Sequence, residues 1–195
     1  MSRRGFLASS AAAMVVAGVG VDETIPTRSV DEIVLRRADL REDASAPYVD
    51  RGAAPAQAPL VKHLRTTLSG FTEEAVALSG FQTTAAAPVP THVESAAFEH
   101  SDAWSREALA RACGAWLGGD ERDAAGMRFD RRVGPGGVQW LSRGHDGSLD
   151  VFRLRATSAG PTLLTIAHGD EDAGVLAPAE AVEQYETTMR DRVRL

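Results

Sequence analysis

Cysteine is nearly missing from this sequence: its 195 residues include one, Cys113. A single thiol cannot form an intrachain disulfide, so the chain is not a disulfide-stapled miniprotein. It cannot supply the ligands of an iron–sulfur cluster, a C-x-x-C-H haem attachment or a multi-cysteine zinc site either. Cys113 falls on the apolar stripe of a predicted helix. We therefore expect a buried structural thiol in preference to a reactive one, and no cofactor.

Common catalytic motifs are also missing. The sequence has no G-x-S-x-G elbow, no G-x-x-x-x-G-K-[ST] loop, no H-E-x-x-H helix and no EF-hand loop.

Excess positive charge is missing too, because 21 Lys and Arg stand against 27 Asp and Glu, a formal net charge of −6. An acidic surface repels phosphate backbones, so we expect no nucleic-acid partner.

The composition that remains is that of an ordinary globular protein. Apolar residues make up 44% and charged residues 25% of the chain, values typical of a sequence that folds. The length suits one compact domain with a modest core.

The N-terminus resembles a twin-arginine (Tat) export signal. The stretch SRRGFL matches the S-R-R-x-F-L core through Ser2, Arg3, Arg4, Phe6 and Leu7, and an uncharged Ala/Gly-rich run continues to residue 21. The resemblance implies that the Tat translocase exports the folded protein, which would then be secreted or anchored at the outer side of the cytoplasmic membrane. We assign 1–21 to this signal segment.

The signal segment has two alternative fates, cleavage or retention as a membrane anchor. No clean A-x-A cleavage site follows the segment. Its uncharged run of 17 residues borders on membrane-spanning length, so an uncleaved leader would act as an anchor. The alternative interpretation is a buried N-terminal helix of the fold.

The rest of the chain divides into an N-terminal helical and Pro/Ala-rich segment, 22–72, and an α+β domain, 73–195. Capping residues, apolar periodicity and turn residues predict its elements. We expect helices over 29–38, 59–70 and 101–117 and from 178 onward, a linker or surface loop over 44–59, and strands over 75–84, 91–100, 138–143, 149–156 and 161–168.

This order predicts an α+β fold with a single antiparallel sheet and helices mainly on one face. The apolar alternation slips within 149–156, which indicates either a bulge or a strand covered on both faces. The stretch VESAAFEHSDAWSREALARA, with the Gly-Asp turn and meander after it, is similar to exported actinobacterial and haloarchaeal domains of unknown function. More distantly it resembles PsbP-like α+β sandwich domains. These resemblances imply binding or assembly in preference to catalysis.

The densest group of potential ligands follows a predicted strand, at His168, Asp170, Glu171 and Asp172. The carboxylates suit Ca²⁺ and the imidazole suits a general base. The alternative interpretation is a solvated acidic loop between a strand and a helix.

Two further patterns have both a functional and a structural interpretation. His92 and Glu94 alternate along a predicted strand, where they converge with a third group or simply line an exposed strand face. Trp104, Trp116 and Trp140 either line an apolar ligand pocket or pack in the core.

The sequence thus favours an exported envelope or secreted domain, without enzymatic activity, that binds a small ligand or a partner protein. The alternative is an exported metal-binding protein or hydrolase that uses His168, Asp170 and Asp172.

Overall fold

In the part of the chain that the structure describes, seven strands form one antiparallel sheet. The computed structural model describes residues 29–42, 47–52, 58–83, 88–99, 101, 104–117, 129–134, 137–157 and 160–194. In order along the chain, the strands are β1 (Val49–Asp50), β2 (Val76–Gln82), β3 (His92–Phe98), β4 (Phe129–Gly134), β5 (Gly137–Arg143), β6 (Ser148–Ala156) and β7 (Thr162–Asp170). Across the sheet the order is β1-β2-β3-β7-β6-β5-β4.

Strand β7 occupies the centre of the sheet, where it joins two antiparallel meanders. It pairs with β6, its neighbour in the chain, and with β3, which lies far away in sequence. Residues 163–167 of β7 are all buried, because both faces of this strand are covered.

Four α-helices accompany the sheet in the described residues: α1 (Val30–Ile33), α2 (Pro59–Thr67), α3 (Arg106–Leu117) and α4 (Pro178–Arg194). Pro59 and Pro178 begin α2 and α4, where the missing N–H of proline costs no helical hydrogen bond. Short 3₁₀ turns cover Arg37–Asp39 and Glu73–Ala75.

Successive side chains of each strand point to opposite faces, and each face has its own core. Leu163 and Ala167 of β7 belong to one core with residues of α1 and α4, and we call this side the α1/α4 face. Leu164 and Ile166 belong to the other core with residues of α2 and α3, and we call this side the α2/α3 face.

On the α1/α4 face, helix α4 lies across the central strands. Its periodicity predicts an apolar stripe of Val182, Tyr185, Met189 and Val193; the first three are fully buried there, and Val193 is partly buried against the same core. The segment around α1 packs beside it, and the backbone N–H of Leu35 donates to the hydroxyl of Ser95 on β3 at 2.9 Å. The chain leaves the helical path at Val34, so the predicted helix 29–38 ends early at Ile33.

On the α2/α3 face, α2 and α3 pack on the sheet and on each other. Leu64 of α2 and Leu109 of α3 are fully buried in this core. A ring nitrogen of His63 lies 3.1 Å from the carbonyl oxygen of Ala112, which links the two helices.

The α+β class with one antiparallel sheet is confirmed, but the expected placement of helices mainly on one face is not what the structure shows. Helices cover both faces because the central strands are apolar on both. The same fact resolves the slip in β6: its pairing with β5 and β7 runs without a bulge, and both of its faces are covered.

Two strands were not predicted. β1 lies inside the expected linker 44–59, and β4 precedes the Gly-rich turn before β5. Within 22–72, the described residues contribute to the sheet and to both cores.

Candidate functional site

A cavity of about 350 Å³ opens on the α2/α3 face of the sheet, beside the first turn of α2. Its floor is apolar and comes from three adjacent strands: Leu78 of β2, Ala96 of β3, and Leu164 and Ile166 of β7. These residues share one face because Leu78, Ala96 and Leu164 are direct partners in the strand register.

The walls of the cavity come from the two helices on this face. Leu60 in the first turn of α2 and Trp116 near the end of α3 both line it. The Trp116 ring is partly buried and meets Phe152 of β6 edge-on, with 6.3 Å between ring centroids and 77° between planes. This contact holds an aromatic surface against the cavity.

Gly80 of β2 provides part of the space. It is not among the glycines with positive φ, so its backbone does not require glycine. A Cβ at this position would lie 3.7 Å from Cγ of Glu94 and 3.9 Å from Cβ of Arg51, which is ordinary contact. The missing side chain therefore serves no packing need, and glycine inside a strand commonly marks a close approach by another group.

Polar side chains surround the mouth of the cavity. Glu94 lies directly opposite Gly80, and its Oε1 is 2.6 Å from Nε2 of His92 two residues earlier. Arg51, just after β1, donates to the side-chain oxygen of Gln82. The side chains of His92 and Glu94 remain 32% and 46% exposed, so solvent and solutes reach them.

A polar row crosses the same face beside the cavity. Register pairs place five side chains in line across the sheet, in the order Gln82, His92, His168, Asp150, Ser142. Nδ1 of His168 lies 2.9 Å from Oδ1 of Asp150, whose side chain is only 11% exposed. The buried Ser142 hydroxyl has no hydrogen-bond partner among the described residues. The row continues the polar edge of the mouth toward β5.

The group predicted at the end of β7 is divided between different partners. His168 belongs to the polar row, whereas Glu171 forms an ion pair with Arg143 at 2.7 Å. Oδ1 of Asp170 accepts a hydrogen bond from the backbone N–H of Asp172 at 2.9 Å, which closes a turn. In the described part of the chain, no group of three or more His, Cys, Asp or Glu is placed to hold a metal ion.

The tryptophans take both of their expected roles. Trp116 lines the cavity, whereas Trp104 and Trp140 are buried in the core on the α2/α3 face. The pairing of His92 with Glu94 on one face follows the predicted alternation, and His168 is their nearest cross-strand neighbour of similar chemistry.

No family model, no curated protein and no solved structure matches the chain.

Cys113 is a buried thiol, as its place on the apolar stripe predicted. It is 1% exposed in the core on the α2/α3 face, and burial raises its pKa to about 12. A thiol held protonated in this way is a poor nucleophile.

The predicted export residues Ser2, Arg3, Arg4, Phe6 and Leu7 lie outside the described residues. Among the residues that are described, none of the helices has the length and apolar character needed to cross a membrane.

Sequence reasoning missed Arg51, Gly80 and Asp150. Arg51 stood within a predicted linker, and Asp150 reaches the site only through the pairing of β6 with β7. Gly80 left one usable signal, a glycine within a strand pattern. The assembled site combines an apolar floor, an aromatic wall and a polar mouth, which suits binding of a small amphipathic molecule.

Proposed function

We propose that this protein is an exported domain that binds a small, mainly apolar ligand in the cavity on the α2/α3 face, without catalysing a reaction. The observation that carries the proposal is the cavity itself, whose floor of four aliphatic side chains is closed on one side by Trp116. Its volume of about 350 Å³ lies near the lower end of the range of about 300–1,000 Å³ for small-molecule sites.

The chemistry of the cavity supports a ligand with one polar end. Aliphatic and aromatic side chains favour burial of an apolar body, since removing apolar surface from water is the main favourable term in such sites. The mouth adds a few hydrogen-bonding groups at one side, His92, Glu94 and Arg51, which would orient the ligand.

Ligand-observed NMR with a library of small apolar compounds tests the binding function. The wild-type protein should give hits, and Gly80→Leu should lose them because its side chain fills the cavity. Gly80→Ala is the matched control and should keep most of them. Trp116→Ala provides a second variant, which removes a wall instead of filling the space. Hits that persist unchanged in both Gly80→Leu and Trp116→Ala would contradict the proposal.

Export by the Tat translocase is the second part of the proposal, supported by the match of residues 2–7 to the signal core. Replacing Arg3 and Arg4 together by Lys keeps the charge and changes the paired guanidinium groups. We expect the amount of protein outside the cytoplasm to fall sharply. If the amount of protein outside the cytoplasm stays unchanged, the assignment of this protein to an exported compartment is wrong. Mass determination of the native N-terminus would separate a cleaved leader from a retained anchor.

The alternative, a metal-binding protein or hydrolase that uses His168, Asp170 and Asp172, draws on a different observation. Asp150 lies beside Nδ1 of His168 and orients the imidazole, as a carboxylate does for a histidine base or metal ligand. Calorimetry with Ca²⁺, Zn²⁺ and Cu²⁺ tests the metal version, which predicts heat of binding and thermal stabilisation that His168→Ala abolishes.

A further inference from the structure

We propose that the ligand of this cavity is a small amphipathic carboxylate, whose apolar body lies on the floor and whose carboxylate binds Arg51. This inference rests on the proposed function, because it assigns a chemical class to the ligand of the same site. It depends on the cavity together with the charges that surround its mouth.

Arg51 carries a positive charge, and its hydrogen-bond partner among the described residues, Gln82, is neutral. Its guanidinium donates to the amide oxygen of Gln82, and no described carboxylate lies within 4.0 Å of it. The nearby carboxylate of Asp50 instead accepts a hydrogen bond from the backbone N–H of Gly52 at 2.8 Å. A guanidinium has five N–H donors in a planar fork that matches a carboxylate.

Glu94, the acid at the mouth, pairs with His92 instead of Arg51. Both side chains flank Gly80, yet Glu94 bonds to His92 at 2.6 Å and forms no ion pair with Arg51. The space above Gly80 therefore lies between an engaged carboxylate and a guanidinium that has no described acidic partner. A ligand anion gains a charge-assisted hydrogen bond at Arg51, whereas a ligand cation would have to compete with His92 for Glu94.

The first turn of α2 adds positive potential on the same side. Its N-cap is Ala58, which has no side-chain oxygen to cap the helix, and Ala58, Pro59 and Leu60 all line the cavity. The free N–H groups of a helix N-terminus favour a nearby negative charge.

Three eight-carbon probes that differ only in the polar head test this inference: octanoate, 1-octanol and octylammonium. Calorimetry at pH 7.5 and low salt measures their affinity for the full chain. We expect octanoate to bind about five- to tenfold more tightly than octanol, and octylammonium most weakly. The preference for octanoate should shrink as salt is added, because Arg51 is exposed.

Arg51→Gln should remove the preference, leaving octanoate and octanol with equal affinity. Arg194→Gln, which removes the same charge from α4 on the opposite face, is the matched control and should leave the preference intact. Glu94→Gln should strengthen octanoate binding, since it removes a neighbouring negative charge.

The outcomes separate this inference from the function on which it rests. If octanol or octylammonium binds as tightly as octanoate, or if Arg51→Gln keeps the preference, the carboxylate class is wrong while the binding function stands. If none of the probes binds, both fail. Binding that survives unchanged in Gly80→Leu would place the ligand elsewhere and overturn both as well.

Discussion

Glu186 on α4 binds Arg155 on β6 across the α1/α4 face, with 2.7 Å between Oε1 and Nη1. Arg153, two residues earlier on the same strand face, lies 2.6 Å from the other carboxylate oxygen. The Glu186 side chain is 2% exposed, whereas both arginines keep some access to solvent. One buried negative charge thus pairs with two cations, and its hydrogen bond with Arg155 fixes the position of α4 on the sheet in a directional way that apolar packing alone does not.

Removing this carboxylate should destabilise the protein. We expect Glu186→Ala to lower the free energy of unfolding by about 3 kcal/mol, because two partly buried guanidinium groups lose their counter-charge. Urea denaturation followed by circular dichroism measures the change. Glu183→Ala, an exposed position on the same helix, is the matched control and should stay within about 0.5 kcal/mol of wild type. If the two substitutions change the free energy of unfolding equally, the ion pairs of Glu186 contribute nothing to stability.

Arg192 near the end of α4 joins this helix to the segment around α1. Its guanidinium donates to the carbonyl oxygen of Val34 at 2.8 Å and to the carboxylate of Asp39. We expect Arg192→Gln to lower the free energy of unfolding by about 1–2 kcal/mol, because the contacts of Arg192 bind residues 29–42 to the core. The same substitution should increase the rate of proteolysis within residues 29–42. Arg194→Gln, an exposed neighbour, should change neither quantity. Unchanged cleavage rates in Arg192→Gln would contradict this role.

Much of the secondary structure was predictable because its signals are local. The apolar stripe and the proline at its start predict α4, and the turn residues at 144–147 separate β5 from β6. The edge strands lacked such signals. β1 is two residues long, and β4 reads FDRRVG, in which three consecutive charged residues interrupt the apolar pattern of a strand.

The placement of helices depends on a local signal in β7 and on a pairing between distant parts of the chain. Residues 162–167 of β7, TLLTIA, form a nearly continuous apolar run, which is typical of a strand covered on both faces. The pairing of β3 with β7, which makes β7 central, joins distant parts of the chain. Nothing in either strand alone specifies that pairing.

The candidate site shows the same division between local and distant information. The two-residue alternation of His92 and Glu94 was enough to predict that they share a face. Their position beside the cavity, with His168 in the next strand, depends on register. Arg51 lies at the mouth because β1 pairs with β2. This pairing is two residues long, so no periodic pattern in the sequence predicts it.

Filling the cavity should not weaken the fold. We expect Gly80→Val to raise the free energy of unfolding by about 0.5–1 kcal/mol, because valine favours a strand and its Cβ meets only ordinary contacts. Gly147→Val is the informative control, since Gly147 is a turn residue at φ +85°. There the same substitution should lower stability by about 1 kcal/mol or more. Thermal denaturation measures both, and a loss of stability in Gly80→Val would mean that the space above Gly80 is needed by the fold itself.

The Cys113 thiol should make stability fall at alkaline pH. Burial raises its pKa from an ordinary value of 9.0 to about 12, so the unfolded chain releases this proton at a pH where the folded chain keeps it. The stability from this group is therefore complete below pH 9 and is lost as the pH rises toward 12, with a slope of about 1.4 kcal/mol per pH unit.

Comparison with Cys113→Ala isolates that contribution. Burial also raises the pKa of Tyr185, so both proteins should lose stability above pH 10. Between pH 9 and 10, however, the wild type should lose stability faster than Cys113→Ala, because only the wild type carries the thiol. Urea denaturation at both pH values measures the difference, which should approach about 1 kcal/mol. Parallel stability curves would mean that water reaches the thiol and that the core around α3 opens more readily than its packing indicates.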